Sequence, residues 1–111
     1  MGDVKMTDNS DEVIKALYEQ ADAALEAIGL QAEKYAKLNL ENHPRRIDTG
    51  RLRNSISHAV EDDAAYIGTN VEYAPYVEYG TQKMEANHFL RNAANDHTDE
   101  YKQIMEKYLK D

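Results

Sequence analysis

Ile56-Ser57-His58-Ala59-Val60-Glu61-Asp62-Asp63-Ala64-Ala65-Tyr66-Ile67-Gly68-Thr69 is the stretch that decides the fold class. Ile56, His58 and Val60 alternate with Ser57 and Ala59, a period of two that belongs to a half-buried strand and not to a helix. Asp62 and Asp63 then read as a turn and Tyr66 to Thr69 as the returning strand, so the segment is a hairpin. Two strands alone are marginal in water. This pair therefore needs a helix packed on it, and other subunits are a source of further strands.

Upstream the period changes. Asn9 can cap a helix, Glu12 stands three residues later as in a capping box, and Val13, Leu17, Ala21, Ala24, Leu25 and Ile28 recur at helical spacing. Lys15, Glu19, Asp22 and Glu26 fall on the other side. Beyond Gly29, which weakens a helix without ending it, the stripe resumes through Ala32, Tyr35, Ala36 and Leu38. Asn42, His43 and Pro44 stop it, because a proline disfavours helical geometry in the residue before it. Met1 to Asp8 are polar and acidic without periodicity and read as a flexible arm, which leaves 9–111 as a single domain.

Asp48 is a candidate N-cap for a short helical turn through Arg51 and Leu52, with Gly50 expected where the backbone changes direction. Downstream of the hairpin, Pro75 suits a first helical position, and Gly80 suits the close of a short turn from Tyr73 to Tyr79. Gly50 and Gly80 are both expected in conformations that a side chain would strain. Tyr73, Tyr76 and Tyr79 are expected to be at least partly buried, the last two on different sides of the turn. From Phe89 a further helical stretch carries Leu90, Ala93, Ala94, His97, Tyr101, Ile104, Met105, Tyr108 and Leu109. The order helix, hairpin, helix predicts an α+β fold in which a long N-terminal helix and a C-terminal helix pack on a small antiparallel sheet.

A chain of 111 residues, 41% hydrophobic and 31% charged, suits one folded domain with a modest core that oligomer contacts would extend. It has no cysteine, which excludes disulfides and thiolate zinc sites. No export signal or apolar run near the length of a membrane span is read, so no membrane role is expected. A net charge of −8 disfavours attraction to nucleic-acid phosphates. Arg45, Arg46, Arg51 and Arg53 nevertheless cluster within nine residues while acids dominate both ends, so this basic patch either meets an acidic neighbour or pairs within the monomer.

Catalytic chemistry is not expected. His43, His58, His88 and His97 are scattered without the helical spacing of a zinc motif, and Gly50, Gly68 and Gly80 are isolated with no lysine following as in a phosphate loop. Neither a metal nor another cofactor is predicted. Tyr66, Tyr73, Tyr76 and Tyr79 could stack on single-stranded nucleic acid, but Glu72 and Glu78 stand among them where a binder carries cations. Core packing and a protein interface suit these tyrosines better. Ser57 and His58, as adjacent strand residues, face opposite sides and do not make a nucleophile and base.

Two segments carry a family resemblance: Ile47-Asp48-Thr49-Gly50-Arg51-Leu52-Arg53-Asn54-Ser55-Ile56, and Ile67-Gly68-Thr69-Asn70-Val71-Glu72-Tyr73-Ala74-Pro75-Tyr76-Val77-Glu78-Tyr79-Gly80-Thr81. Together they resemble the small tail components encoded beside the connector genes of long-tailed bacteriophages. His88-Phe89-Leu90-Arg91-Asn92-Ala93 is a third, shorter match, with His88 standing where the family usually has proline. The resemblance implies a head–tail joining or tail-completion protein of a phage or prophage, found in the virion and, during assembly, in the host cytoplasm. It implies a homo-oligomeric ring, usually sixfold, that touches connector and tail-tube proteins and lets DNA pass without specific binding. A small subunit can build such a head-to-tail contact from strand edges and an arm, and acidic walls would keep a duplex from sticking. Within that reading Arg45, Arg46, Arg51, Arg53, Tyr76, Glu78 and Tyr79 are the expected subunit interface. Asp48, Thr49, Gly50, Leu52, Ser55, Gly68, Tyr73, Ala74, Pro75, Gly80, Thr81, Phe89 and Leu90 are the expected structural motif. The rival reading is an acidic DNA mimic that inhibits a nuclease or repressor, and it requires a carboxylate face that Arg45 to Arg53 would interrupt. A small hydrolase using His58 and Glu78 is a further alternative.

Overall fold

The computed structural model describes residues 3–41, 49–82 and 85–110, with side chains from Glu12 onward except that of Thr49. The chain runs α1 (Asp3–Asn39), α2 (Thr49–Ser55), β1 (Ser57–Glu61), β2 (Ala64–Gly68), α3 (Ala74–Tyr79), α4 (Phe89–Asn95) and α5 (Thr98–Leu109). This is an α+β chain, mostly helical, with the long N-terminal helix, C-terminal helices and two-stranded antiparallel sheet that the residue pattern predicts.

The hairpin register pairs Ser57 with Gly68, His58 with Ile67, Val60 with Ala65 and Glu61 with Ala64. His58, Val60, Ala65 and Ile67 point inward, while Ser57, Ala59 and Tyr66 are exposed. Asp62 and Asp63 have φ of 49° and 65°, the paired left-handed conformation of a tight two-residue turn whose twist matches the strands.

α1 starts at Asp3 and not at the Asn9 cap, since no proline or glycine after Gly2 interrupts helix formation there. The helix passes straight through Gly29, which is buried. Asn42, His43 and Pro44, read as the helix stop, lie outside the described residues.

The single C-terminal helix expected from Phe89 is two. α4 ends at Asn95, Asp96 keeps helical angles, and His97 leaves them at φ −127° before α5 begins. The break is pinned tertiarily: the His97 ring stacks on Tyr35 of α1 at 3.5 Å between centroids, and the Tyr35 hydroxyl donates to the Glu100 carboxylate. α5 then turns back along α1, with Asp99 and Glu100 in its first turn where the helix dipole favours negative charge.

Ala36 and Leu40 of α1, Leu52, Ile56, Val71, Ala74, Val77, Phe89 and Ala93 form the core, and Tyr35, Ile67, Tyr73 and Leu90 close around it. That core sits at the C-terminal end of α1. The opposite end projects: every residue from Glu12 to Glu19 is exposed, and the molecule measures 69 × 24 × 21 Å. Its radius of gyration is 18.8 Å, against about 13 Å for a compact domain of this length.

Candidate subunit interface

The motif segments converge on the core and leave Arg53, Tyr76 and Tyr79 exposed. Leu52 and Ile56, four residues apart, are buried and anchor α2. At its end the Ser55 hydroxyl lies against both the Leu52 carbonyl, at 2.6 Å, and the Thr69 hydroxyl, whose oxygen also accepts from Val71 N–H at 3.1 Å. The first motif is thereby latched to the start of the second. Gly68 has open space around it and Thr81 is exposed.

α3 begins with Pro75 in its first turn, as its fixed φ allows, and ends at Gly80 with φ 81° and ψ 173°, a region that is essentially glycine's alone. Gly50 does not share this property. It lies inside the first turn of α2 and is not among the residues of positive φ, because the helix already includes Thr49.

Among the expected interface residues, Glu78 is the clear departure. It is 6% exposed, and its carboxylate accepts from the backbone N–H of Leu90 at 2.9 Å and of Arg91 at 3.3 Å. These are the orphan donors at the start of α4, whose own N-cap, His88, supplies no side-chain bond. Glu78 is thus a cap delivered from another helix and does not face outward. His88, standing where the family usually has proline, brings its Nδ1 to 3.7 Å from the Glu78 carboxylate, beyond hydrogen-bond reach. Asn39 and Asn87 hold the same corner: the Asn39 amide donates to the Phe89 carbonyl and the Asn87 amide to the Asn39 carbonyl, each at 3.1 Å.

Arg51 forms a bidentate pair with Glu72, both bonds 3.2 Å, and lies 5.5 Å over the Tyr73 ring. The Glu72 backbone N–H and then this guanidinium hold the Glu72 carboxyl below the usual range. Of the two alternatives for the basic cluster, Arg51 takes the one inside the monomer. Arg53 is exposed, whereas Arg45, Arg46 and Asp48 lie outside the described residues.

Tyr73 is half-buried against the core as expected, but Tyr76 and Tyr79 are 59% and 74% exposed. Ala74, Val77 and Glu78 occupy the inner side of α3. Residues three apart on a helix share a side, so both tyrosines point outward together and not to different sides. Beside them Pro75 is exposed, while Leu90 is half-buried. The result is a partly aromatic outer face on α3, while Arg53 of α2 lines a groove along α1.

Sequence reasoning missed a second polar arrangement, on the other side of α1. His58 Nδ1 lies 2.8 Å from Glu33 and Nε2 2.5 Å from Glu26, so the ring bridges two carboxylates seven residues apart. Both nitrogens can donate only when the ring is protonated. The Glu33 hydrogen bond raises the His58 pKa against the opposing effect of burial, with Glu26 adding to the rise. For Glu33, burial works against ionisation, but the bonds from His58 and Lys37 outweigh it and lower its pKa. Gly29 makes the contact possible, since a Cβ there would sit 2.9 Å from the His58 ring. The only sequence signal was a glycine midway between Glu26 and Glu33. His58 bonds to Glu26 and Glu33, and Glu78 to the start of α4. Among the described residues no cluster of three or more His, Asp or Glu could hold a metal, and no helix is long and apolar enough to cross a membrane.

What these elements define is a small α+β chain with an exposed aromatic face on α3 and a projecting helix. The chain belongs to the HK97-gp10-like family, whose model, described as "Bacteriophage HK97-gp10, putative tail-component", matches residues 5–80. That span takes in α1 from Lys5 onward and both motif segments as far as Gly80. No curated protein and no solved structure matches the chain.

Proposed function

We propose that this tail component forms a ring at the junction of head and tail, completing the tail and leaving a passage for DNA, with connector and tail-tube proteins above and below. The observation that carries the reading is the motif surface. The residues that mark the family are spent partly on anchoring α2 and α3 and partly on presenting Arg53, Tyr76 and Tyr79 to a neighbour. Adjacent subunits meet through this surface against an acidic helix face. Aromatic and arginine side chains at the centre of an interface and complementary charge around it are what protein contacts of this kind use. The acidic balance of the chain then suits a conduit that must not retain a duplex.

Arg53→Glu with Tyr79→Glu, introduced in a phage or prophage that carries the gene, tests the reading. Arg51 is left alone because its pair with Glu72 serves the monomer. Separate heads and tails should accumulate, while the isolated variant keeps the circular dichroism and melting temperature of the parent. Normal infectious particles would overturn the interface.

A further inference from the structure

α1 carries apolar groups on two different faces at two different heights. Val13, Ile14, Leu17 and Tyr18 lie on the projecting half, each about half exposed, and continue the stripe that further along meets the hairpin and α5. Leu30 and Leu38 lie on the opposite side of the packed half, 57% and 44% exposed. They line a shallow groove of about 560 Å³ between α1 and α2 whose rim carries Lys34, Lys37 and Arg53.

We infer that the projecting half of α1 of one subunit lies in the Leu30/Leu38 groove of the next. Charge selects this occupant. From Asp3 to Asp22 the helix has six acids against two lysines, whereas in the groove Lys37 and Glu33 pair with each other and Lys34 and Arg53 stand against Glu41. Pairing two projecting halves with each other would instead bring acidic segment against acidic segment. An amphipathic helix laying its apolar face into a groove is a common recognition mode, and here Val13, Ile14, Leu17 and Tyr18 supply that face. Because the two patches differ, the contact is head-to-tail, and repetition closes a ring or extends a filament. The inference deepens the ring reading and rests on it: the acidic helix face is the projecting half of α1, and Arg53 is part of the groove that receives it.

The chain has no cysteine, so an added pair reports directly. Leu17→Cys and Leu38→Cys stand 21 residues apart on one continuous helix, about 31 Å at 1.5 Å per residue, and cannot bridge within a subunit. Oxidising the purified double variant should give a ladder of covalent oligomers, and mixing the two single variants should give only a mixed dimer. Leu17→Glu should weaken self-association in sedimentation velocity about 10- to 100-fold, the loss expected for one buried leucine, without altering the melting temperature. Oligomers that form without a 17–38 bond and are indifferent to Leu17→Glu would overturn this contact and leave the ring reading standing. Strong dimers from Leu17→Cys alone would show arm-to-arm pairing and overturn it also. A chain that stays monomeric at millimolar concentration overturns the contact, and the infection test above then decides the ring separately.

Discussion

From Ala24 to Leu40 the apolar stripe of α1 is roofed by the hairpin, α4 and α5, and Ala24, Ala32, Ala36 and Leu40 are buried. From Val13 to Tyr18 the same stripe continues with larger side chains and is open to solvent. Three of the four buried apolar side chains there are alanine, which lets neighbouring elements approach closely. The projecting half carries Val, Ile, Leu and Tyr, the bulkier groups that a partner would cover. Helical periodicity runs through both halves. What separates them is whether anything later in the chain folds back that far, and α5 ends too soon to do so.

The largest effect should come from the packed end. Phe89→Ala removes a side chain with no exposed surface from the centre of the core and should lower stability by about 3–5 kcal/mol. Leu17→Ala on the dilute subunit should stay within about 0.5 kcal/mol, as for ordinary surface positions. Urea titration of both variants checks the pair, and similar losses would erase the distinction between the halves.

A smaller effect marks the middle of α1, where Gly29 receives His58. Gly29→Ala improves helix propensity by up to about 1 kcal/mol but forces the imidazole off the helix, and the net should be a destabilisation of about 1–2 kcal/mol. The same contact sets a pH dependence. The raised pKa of His58 makes its contribution complete below the ordinary histidine value of 6.5 and lost as pH rises through the raised value. The lowered pKa of Glu33 makes its contribution complete above the ordinary 4.5 and lost as pH falls through the lowered value. The melting-temperature advantage over His58→Gln should therefore be greatest between these values and shrink by pH 8.5. A gap that widens with pH would show that the ring is neutral in the folded state.

The smallest effect lies at the hairpin tip. Asp63→Gly, at φ 65°, relieves a conformation that glycine adopts freely and should stabilise the subunit by about 0.5 kcal/mol in thermal melts. Its neighbours in the strands should be unaffected, so a loss here would mean that the Asp63 side chain has a partner of its own.

Much of this was legible in order along the chain. The strand period at Ile56 to Val60, the turn at Asp62-Asp63, the proline and glycine bracketing α3 and the long stripe of α1 each depend on neighbours within a few residues, and local sterics and periodicity suffice to read them. The motif residues Leu52, Ala74 and Phe89 likewise announced an anchored corner through their hydrophobicity and their family resemblance. The family's tail-component character rests on such local marks as well.

Tertiary structure alone decided the rest, because those features depend on groups distant in sequence arriving at one place. Glu78 looked like one more acid among tyrosines and became the cap of a helix that begins eleven residues later. His97 looked like part of a continuous stripe, yet it divides two helices because Tyr35 stands opposite to stack on it. Gly29 looked like a weak point in a helix, and only the approach of β1 turned its missing side chain into the seat of His58. Periodicity tells which face of an element is apolar, but burial is a property of pairs of elements, and no local pattern states where the second element ends.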